Sequence, residues 1–500
     1  MATARIASLA DHVGQTVTLQ GWLYNQRGSK ALAFLEVRDG SGIVQVVVSE
    51  EEVSPEAWQA VQDATQESGI EITGEVVEDA RQTGGVEVRA SGVTLVSQAE
   101  PYPITPKEHG VEFLMDRRHL WLRSKRQWAI ARVRNRVIMA IHGYFQEDGF
   151  IQMDAPILTG NAVEGTSTLF ELDYFEEPAY LTQSGQLHGE AMAMAHGKVY
   201  TFGPTFRAEK SKTRRHLTEF WMIEPEMAFH DLAMNMEVAE GLLRHITQEV
   251  IDTCAEELEI LERDVKALRP SLDGPYPRLS YSEAVDLLTS DETQTMLQAE
   301  LDARTEEKSA LDAERDADQA AYGQAKKGEK RRIDSRRIEI DKRLAQVEED
   351  LRNLPKWMES ARSFEWGADF GGSDETVITK HFRTPIIVHR YPAVVKAFYM
   401  KRDPEDNRLA LGMDVLAPEG YGEIIGGGER ATDLQFLRDQ IALHGLPESA
   451  FDWYLDLRRY GSVPHAGFGL GLERTVSWMC GLHHLREAIP FPRLIGRLHP

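Results

Sequence analysis

Between residues 17 and 96, apolar and polar side chains alternate in short bursts, at 17–23, 33–38, 43–48, 70–77 and 86–96. The bursts are rich in β-branched residues, and Gly, Asp and Ser separate them, as at Asp39–Gly42, so the pattern predicts five strands. Residues 55–66 change to a helical period and predict one helix between the third and fourth strands. Pro101, Pro103 and Pro106 each fix φ and restrict the residue before them, which predicts a stiff, non-helical linker. From about residue 116 the pattern lengthens. Ile130, Val133, Val137, Ile138, Ile141 and Phe145 share one face of a helix predicted over 126–149. Apolar and aromatic runs at 179–182, 199–202, 220–224, 385–389 and 398–400 predict later strands.

Five strands with a helix after the third is the order of an OB-fold, a small barrel whose strand face takes oligonucleotides or oligosaccharides. The expected fold class is therefore α+β: an N-terminal OB-fold β-barrel over 1–100, a linker over 101–116, and a large antiparallel-sheet domain over 117–500. A chain of 500 residues, 42% hydrophobic and 27% charged, is long enough for these domains and too apolar for disorder. No run approaches the roughly 18 apolar residues of a membrane span. The opening residues lack a secretory apolar segment, so a cytoplasmic location is expected. Cys254 and Cys480 are too few for a disulfide framework and are expected to be buried thiols.

Residues 291–355 stand apart, with 13 Lys/Arg and 17 Asp/Glu in one continuous stretch. Positions 291–318 hold 3 basic and 10 acidic residues, whereas 326–352 hold 10 basic and 7 acidic. Ile333, Ile340, Leu344, Val347, Leu351 and Leu354 have a spacing suited to a seam, opposite Leu297, Leu301 and Leu311. With Gly323 and Gly328 marking a turn, the stretch predicts an inserted helical hairpin with oppositely charged arms. It is either a solvated spacer or a contact surface.

Neither a P-loop nor a GxGxxG turn is present, so a nucleotide would have to be held by side chains. Arg207, Glu209, Lys210, Lys212, Arg214, Arg215 and His216 lie in a basic loop between two predicted strands, followed by Phe220. Such a loop suits a polyphosphate and a stacked base, although alone it is an ordinary solvated turn. Gly467, Gly469 and Gly471 alternate along a strand that enters a helix bearing Arg474, and glycine in a strand marks close approach of a ligand or backbone. Asp414 and Glu423 flank a turn and suit Mg²⁺, which takes few protein oxygens beside phosphate oxygens.

Taken together, Phe206-Arg207-Ala208-Glu209 on a strand-loop-strand and Gly467-Phe-Gly-Leu-Gly-Leu-Glu-Arg474 resemble motifs 2 and 3 of the class II aminoacyl-tRNA synthetases, aspartate/asparagine/lysine subgroup. The helix through Gly149 and Phe150–Pro156 resembles motif 1, which implies a homodimer interface. Gly21, Trp22, Arg27, Phe34, Arg38-Asp39 and Gln45 match the subgroup's OB-fold anticodon-binding domain. The resemblance covers residues from about 15 to 500, except the insertion. It implies that Arg207 contacts the ATP α-phosphate, Glu209 the adenine or tRNA terminus, and His216 and Arg474 the γ-phosphate. Phe220 would stack on adenine, with Asp414 and Glu423 on Mg²⁺. Arg207, Glu209 and Arg474 are the implied catalytic residues. Arg27, Phe34 and Gln45 would contact the anticodon.

Within the subgroup, Thr182-Gln-Ser-Gly-Gln-Leu-His-Gly-Glu190 has Gly189 where aspartyl enzymes carry a lysine for the substrate carboxylate, and it resembles the asparaginyl branch. The resemblance places Arg430 on the side-chain carbonyl and Glu224 near the amide nitrogen, with Glu164, Ser184 and Gln186 around the rest of the amino acid. An amide needs one donor and one acceptor, and a buried polar mismatch discriminates by roughly 10⁴ or more. The implied reaction is ATP-dependent ligation of L-asparagine to tRNA(Asn) through asparaginyl-adenylate, releasing AMP and pyrophosphate. The alternative is an aspartyl or non-discriminating aspartyl enzyme. A tRNA-independent asparagine synthetase would lack residues 1–100. A non-catalytic RNA-binding paralogue would have lost Arg207, Glu423 or Arg474. The hairpin's basic second arm is expected to contact tRNA or another macromolecule.

The net charge of −24 opposes a polyanionic partner unless positive charge is concentrated locally. Residues 1–100 carry 6 basic and 15 acidic residues, whereas 107–136 carry 9 basic and 3 acidic, so a cationic track is expected after the linker.

Overall fold

The computed structural model describes the whole chain except Met1, Pro106, Glu108, residues 161–168 and Lys212, and the side chains of Ala2 and Thr83. Its contacts divide it into two compact units, one ending at Ser124 and the other running Lys125–His499.

The first unit contains β1 (Thr16–Gly28), β2 (Leu32–Arg38), β3 (Ile43–Ser49), α1 (Pro55–Asp63), β4 (Gly69–Glu78) and β5 (Val86–Ser97). The sheet runs β1-β2-β3-β5-β4, and β4 pairs back onto β1, which closes a five-stranded barrel. Leu19, Leu35, Val46, Ile72 and Val88 point inward and are almost fully buried, so the sequence alternation is the inside and outside of the barrel wall. Ser54 caps α1 by accepting from the Ala57 N–H, and Pro55 occupies its first turn. The helix stops at Asp63, three residues before its sequence period ends, because Ala64 is extended.

The second unit begins with α2 (Lys125–Glu147), which turns at Gly149 (φ 77°) into the short β6 (Ile151–Met153). There follow α3 (Gln186–His196), β7 (Lys198–Phe206), β8 (Glu219–Ala228), α4 (Leu232–Thr253), β9 (Arg278–Ser280) and α5 (Tyr281–Thr289). The inserted arms are α6 (Asp291–Tyr322) and α7 (Lys327–Ser363), and after them come α8 (Gly372–Thr379), β10 (Ile386–His389), β11 (Gly412–Ala417) and β12 (Gly422–Glu429). The chain ends with α9 (Asp452–Arg459), β13 (His465–Gly471) and α10 (Leu472–Cys480). Eight strands form one sheet in the order β9-β10-β11-β12-β13-β8-β7-β6, antiparallel except at its two ends. Helices α2, α4 and α10 cover one face through Val137, Ile141, Leu243, Ile246 and Trp478. The other face carries the candidate site.

Three expectations need correction. Residues 398–400 are not a strand: Phe398, Tyr399 and Met400 pack into a cluster with Leu437 and Tyr454, and Met400 makes only a single bridge to Arg430. Their hydrophobicity reflects burial, not pairing. The second arm of the hairpin does not stop at Pro355 but passes through it to Ser363. Gly328 lies in the first turn of α7, so the interhelical turn is shorter than two glycine markers imply. Cys254 and Cys480 are both buried free thiols, as expected. Among the described residues no helix is long and apolar enough to cross a membrane.

Candidate active site

Strands β7 and β8 pair over nine positions, from Lys198↔Met227 to Phe206↔Glu219, and the loop between them carries the basic cluster. Arg207 stacks on Phe220, with its guanidinium carbon 5.4 Å from the ring centre. Its Nε is buried without a hydrogen-bond partner. Glu209 lies 3.4 Å from His216 Nε2, while His216 Nδ1 meets Thr213 and Ser211. Burial lowers the His216 pKa, and Arg474, Arg207 and Arg215 add to this against Glu209. Arg215 lines the cavity that these residues share and is held in place: it bonds the Gly372 carbonyl (3.1 Å), Thr376 Oγ1 (2.8 Å) and the Gly420 carbonyl, and so pins the loop to α8 and the β11–β12 turn. Arg207, Glu209, His216, Phe220, Glu423 and Arg474 line one cavity.

A β-bulge brings the two acids together. Asp414 pairs with Gly426 and Leu416 with Glu423, with the register shifting between them, so Ile424 and Ile425 both face the core and Glu423 returns to the face of Asp414. Asp414 Oδ2 is held by Lys396 Nζ at 2.7 Å, and Glu423 Oε2 by Arg474 Nη1 at 3.2 Å. The other two oxygens flank Gly426: a Cβ built there would stand 2.6 Å from Glu423 Oε1 and 3.4 Å from Asp414 Oδ1. Burial pushes Asp414 up to about 6, with Glu423 adding and Lys396 opposing. Glu375, whose carboxylate accepts from the Glu423 N–H at 3.1 Å, is pushed up to about 7 by burial and by Glu423. Two carboxylates with outward oxygens and a glycine between them fit an ion that takes most of its ligands from phosphate and water. The described residues hold no cluster of three or more metal-ligating groups.

Arg207, Met222, Glu423 and Gly469 also border a second, more polar cavity, which adds Ser184, Gln186, Glu224, Glu226, Arg430 and Lys396. There the Glu224 carboxylate is fixed by three donors: Ser184 Oγ, the Gly185 N–H (2.7 Å) and Thr201 Oγ1 (3.3 Å). Gln186 donates to Glu190 at 3.1 Å. Arg430 is engaged by Glu226, Nη2 to Oε1 at 2.5 Å, in a pair whose side chains are both 1% exposed. Behind it, Glu190 accepts from Tyr454 (2.8 Å), Arg458 (2.8 Å) and His465 (2.9 Å). Burial alone would raise Glu190, but Arg458, His465 and Arg430 outweigh it and hold the carboxyl well below its usual range. Burial, reinforced by Glu190, pushes Glu226 up to about 7 against the pull of Arg430.

These acids explain the glycines. A Cβ at Gly467 would lie 2.3 Å from Glu226 Cδ, and one at Gly189 3.1 Å from Glu226 Cγ. The close approach that glycine predicts along β13 is made by Glu226, a protein side chain, across the β8–β13 register Glu226↔Gly467. Glu226, Glu375, Lys396, Arg458 and His465 were not singled out from sequence, and Glu190 stood in a quoted motif without a role. Glu164 lies outside the described residues.

On the barrel, Arg27 and Phe34 are cross-strand partners, and the Arg27 guanidinium sits 5.8 Å from the Phe34 ring. Arg27 Nη2 donates to Gln45 Oε1 at 2.9 Å, and Gln45 Nε2 donates to Glu87 at 3.0 Å. The three predicted residues therefore form one outward-facing cluster, with Glu87 as an unforeseen member.

Residues 110–495 match the family model described as tRNA synthetases class II (D, K and N), and residues 17–96 match the OB-fold nucleic acid binding domain. An asparagine--tRNA ligase of Sorangium cellulosum (strain So ce56) is 51% identical over 495 residues, spanning 99% of this chain and 98% of the relative. One of Desulforamulus reducens is 48% identical over 99% of both. The crystal structure of asparaginyl-tRNA synthetase from Pyrococcus horikoshii complexed with asparaginyl-adenylate superposes with a TM-score of 0.82 at 36% identity, covering 100% of each chain. With a closed barrel ahead of this sheet and its two joined cavities, the chain belongs to the class II tRNA synthetases of the D, K and N group.

Proposed function

We propose that the chain ligates L-asparagine to tRNA(Asn) at the expense of ATP, through asparaginyl-adenylate. The observation that carries the amino-acid assignment is the pairing of Arg430 with Glu226 beside the triply held Glu224. Arg430 is a donor whose positive charge is already matched from within, and Glu224 is a fixed acceptor. A carboxamide satisfies both, its oxygen on Arg430 and its NH₂ on Glu224. A side-chain carboxylate would meet the negative Glu224, and Gly189 offers no further cation. Ser184 and Gln186 border the same cavity and hold the rest of the amino acid, together with Glu164.

In the first step the asparagine carboxylate attacks the α-phosphorus of ATP and pyrophosphate leaves. Arg207, at the junction of the two cavities, bonds the α-phosphate, and its guanidinium stabilises charge as the bond forms. Phe220 stacks on the adenine, while His216 and Arg474 hold the departing phosphates. Asp414 and Glu423 would hold Mg²⁺, which supplies charge neutralisation to the polyphosphate. In the second step the terminal ribose hydroxyl of tRNA(Asn) takes the asparaginyl group, with Glu209 at the cavity rim, and AMP leaves. Residues 1–100, with Arg27, Phe34 and Gln45, contact the anticodon, 101–116 join the domains, and 117–500 catalyse, with 291–355 inserted. A homodimer through motif 1 is supported by Met139, Ile151, Ile157 and Leu158, which are 43–49% exposed, and light scattering at twice the chain mass tests it. A cytoplasmic location fits an enzyme that draws on the tRNA pool there.

ATP–pyrophosphate exchange measured separately with asparagine and aspartate tests the assignment. Asparagine is expected to be favoured by about 10⁴-fold or more. Equal rates would overturn the amide argument and favour the non-discriminating alternative.

A further inference from the structure

The hairpin α6–α7 is not a uniformly solvated charged rod. Its stem is neutralised arm against arm: Arg304 pairs with Asp350 (2.9 Å), Arg343 with Glu307 (2.6 Å) and Lys308 with Glu348 (3.4 Å). At its root Leu297, Leu354 and Ala361 are buried with Val377 and Ile378. The second arm is also tied to the rest of the unit. Glu349 lies 3.2 Å from His483 and 3.6 Å from Arg214 of the loop that borders the ATP cavity, and Lys342 lies 3.5 Å from Glu262. Among the described residues these ties run no further toward the tip than Lys342.

Beyond that point the charge balance breaks. Residues 326–337 hold seven Lys/Arg and two acids in a chain of net charge −24. Among the described residues only Arg336 of these has a carboxylate partner, Asp318, and Lys330 lies over the Tyr322 ring at 5.0 Å. Lys326, Lys327, Arg331, Arg332 and Arg337 make no ion pair among the described residues. Cations that a protein does not neutralise internally, spaced on one helix, suit a row of phosphates.

The root is anchored beside the loop that borders the candidate ATP cavity. From the buried Leu354 to Lys327 the helix extends about 40 Å at 1.5 Å per residue. We propose that the basic tip of α7, residues 326–337, is a phosphate-contact surface for tRNA, engaging the backbone of the tRNA whose 3′ end enters the active site. The proposal rests on the synthetase reading above. It assigns the tip to positioning through the backbone, not to base recognition.

The experiment uses the full-length enzyme with an in vitro transcript of tRNA(Asn). K327Q/R331Q/R332Q and the charge-reversing K327E/R331E/R332E are expected to raise the KM for tRNA about 5-fold and at least 10-fold respectively. ATP–pyrophosphate exchange with asparagine, which needs no tRNA, stays at the parental rate. On the parental enzyme the transcript is expected to protect Lys326, Lys327 and Lys330 from acetylation while the stem residue Lys308 is unaffected. A tRNA KM within 2-fold of the parent, or tip lysines equally reactive with and without the transcript, overturns the proposal, including the case in which an acidic protein is the true occupant. Loss of asparagine-dependent exchange in the parental enzyme overturns the synthetase reading instead.

Discussion

At the scale of single residues, the site is a set of buried acids whose charge is matched by fixed cations, and its proton balance is therefore pH-sensitive. Glu375 shows this most simply. Its side chain is 15% exposed, its partners are the Glu423 N–H and Arg215, and its carboxyl is pushed up to about 7 from the usual 4.5. In the ligand-free protein the folded state then holds a proton that the unfolded chain has released between those two values. Its contribution to stability is complete below about 4.5 and is lost as pH rises through 7. Replacing Glu375 by Gln keeps an acceptor without the titration, so the parental protein should lose roughly 2–3 kcal/mol relative to E375Q between pH 4.5 and 7. Denaturant titrations at both pH values measure this, and parallel curves would refute it. Residues such as Arg207, His216 and Phe220 were legible in sequence because one strand-loop-strand supplies all three. Glu226 and Glu375 were not, because the positions opposite them come from strands and helices up to about 240 residues away, as with Glu226↔Gly467. A glutamate inside an aromatic strand looks like any other until the register is known.

At the scale of elements, the five strands and one helix of the barrel and the strand pair β7–β8 follow the hydrophobic alternation closely, because each has one face in a core and one outside. The bulge at Ile424-Ile425 does not follow from alternation. Two adjacent isoleucines on one face break the period, and only the pairing of Leu416 with Glu423 shows that the break aligns two carboxylates. Segment 398–400 failed for the opposite reason, since a buried irregular stretch is as apolar as a strand. For the hairpin, the sequence predicted a seam, and Ile340, Leu344, Val347 and Leu354 are buried, but Leu301 and Leu311 of the first arm are only half-buried. Ion pairs complete the stem. The contact of Glu349 with Arg214 and His483 makes α7 a brace for the loop that carries Arg207 and His216. Glu349→Gln should therefore raise the KM for ATP about 3- to 10-fold while leaving the KM for asparagine unchanged. Glu348→Gln, at a residue whose one ion pair among the described residues is with Lys308, should change neither. Steady-state exchange kinetics separate the two, and equal effects of both variants would reject the brace.

At the scale of the whole molecule, the expected cationic track over 107–136 does not survive the structure. Of its nine basic residues, Arg123 pairs with Glu67, Arg126 with Glu487, Arg132 with Glu257, Arg134 with Glu473 and Arg136 with Glu249, and Arg118 is 1% exposed. A sequence count cannot see this, because the neutralising acids lie up to about 360 residues away. Positive charge available to a polyanion is instead concentrated at the hairpin tip, on a molecule of net charge −24. Binding of an RNA that lacks the cognate anticodon then has few phosphates to neutralise, and each contributes about 0.7–0.9 to the slope of log affinity against log salt. The five tip cations that make no ion pair among the described residues set that slope at about −4, short of the −5 to −9 of a protein making 6–10 contacts. With Lys327, Arg331 and Arg332 changed to Gln, about two contacts are left and the slope should flatten to about −1.5. Fluorescence anisotropy of a labelled non-cognate RNA between 50 and about 200 mM salt measures both slopes. A parental slope steeper than about −5 would mean that cations judged neutralised are being freed on binding, and an unchanged slope in the variant would place the contacts elsewhere.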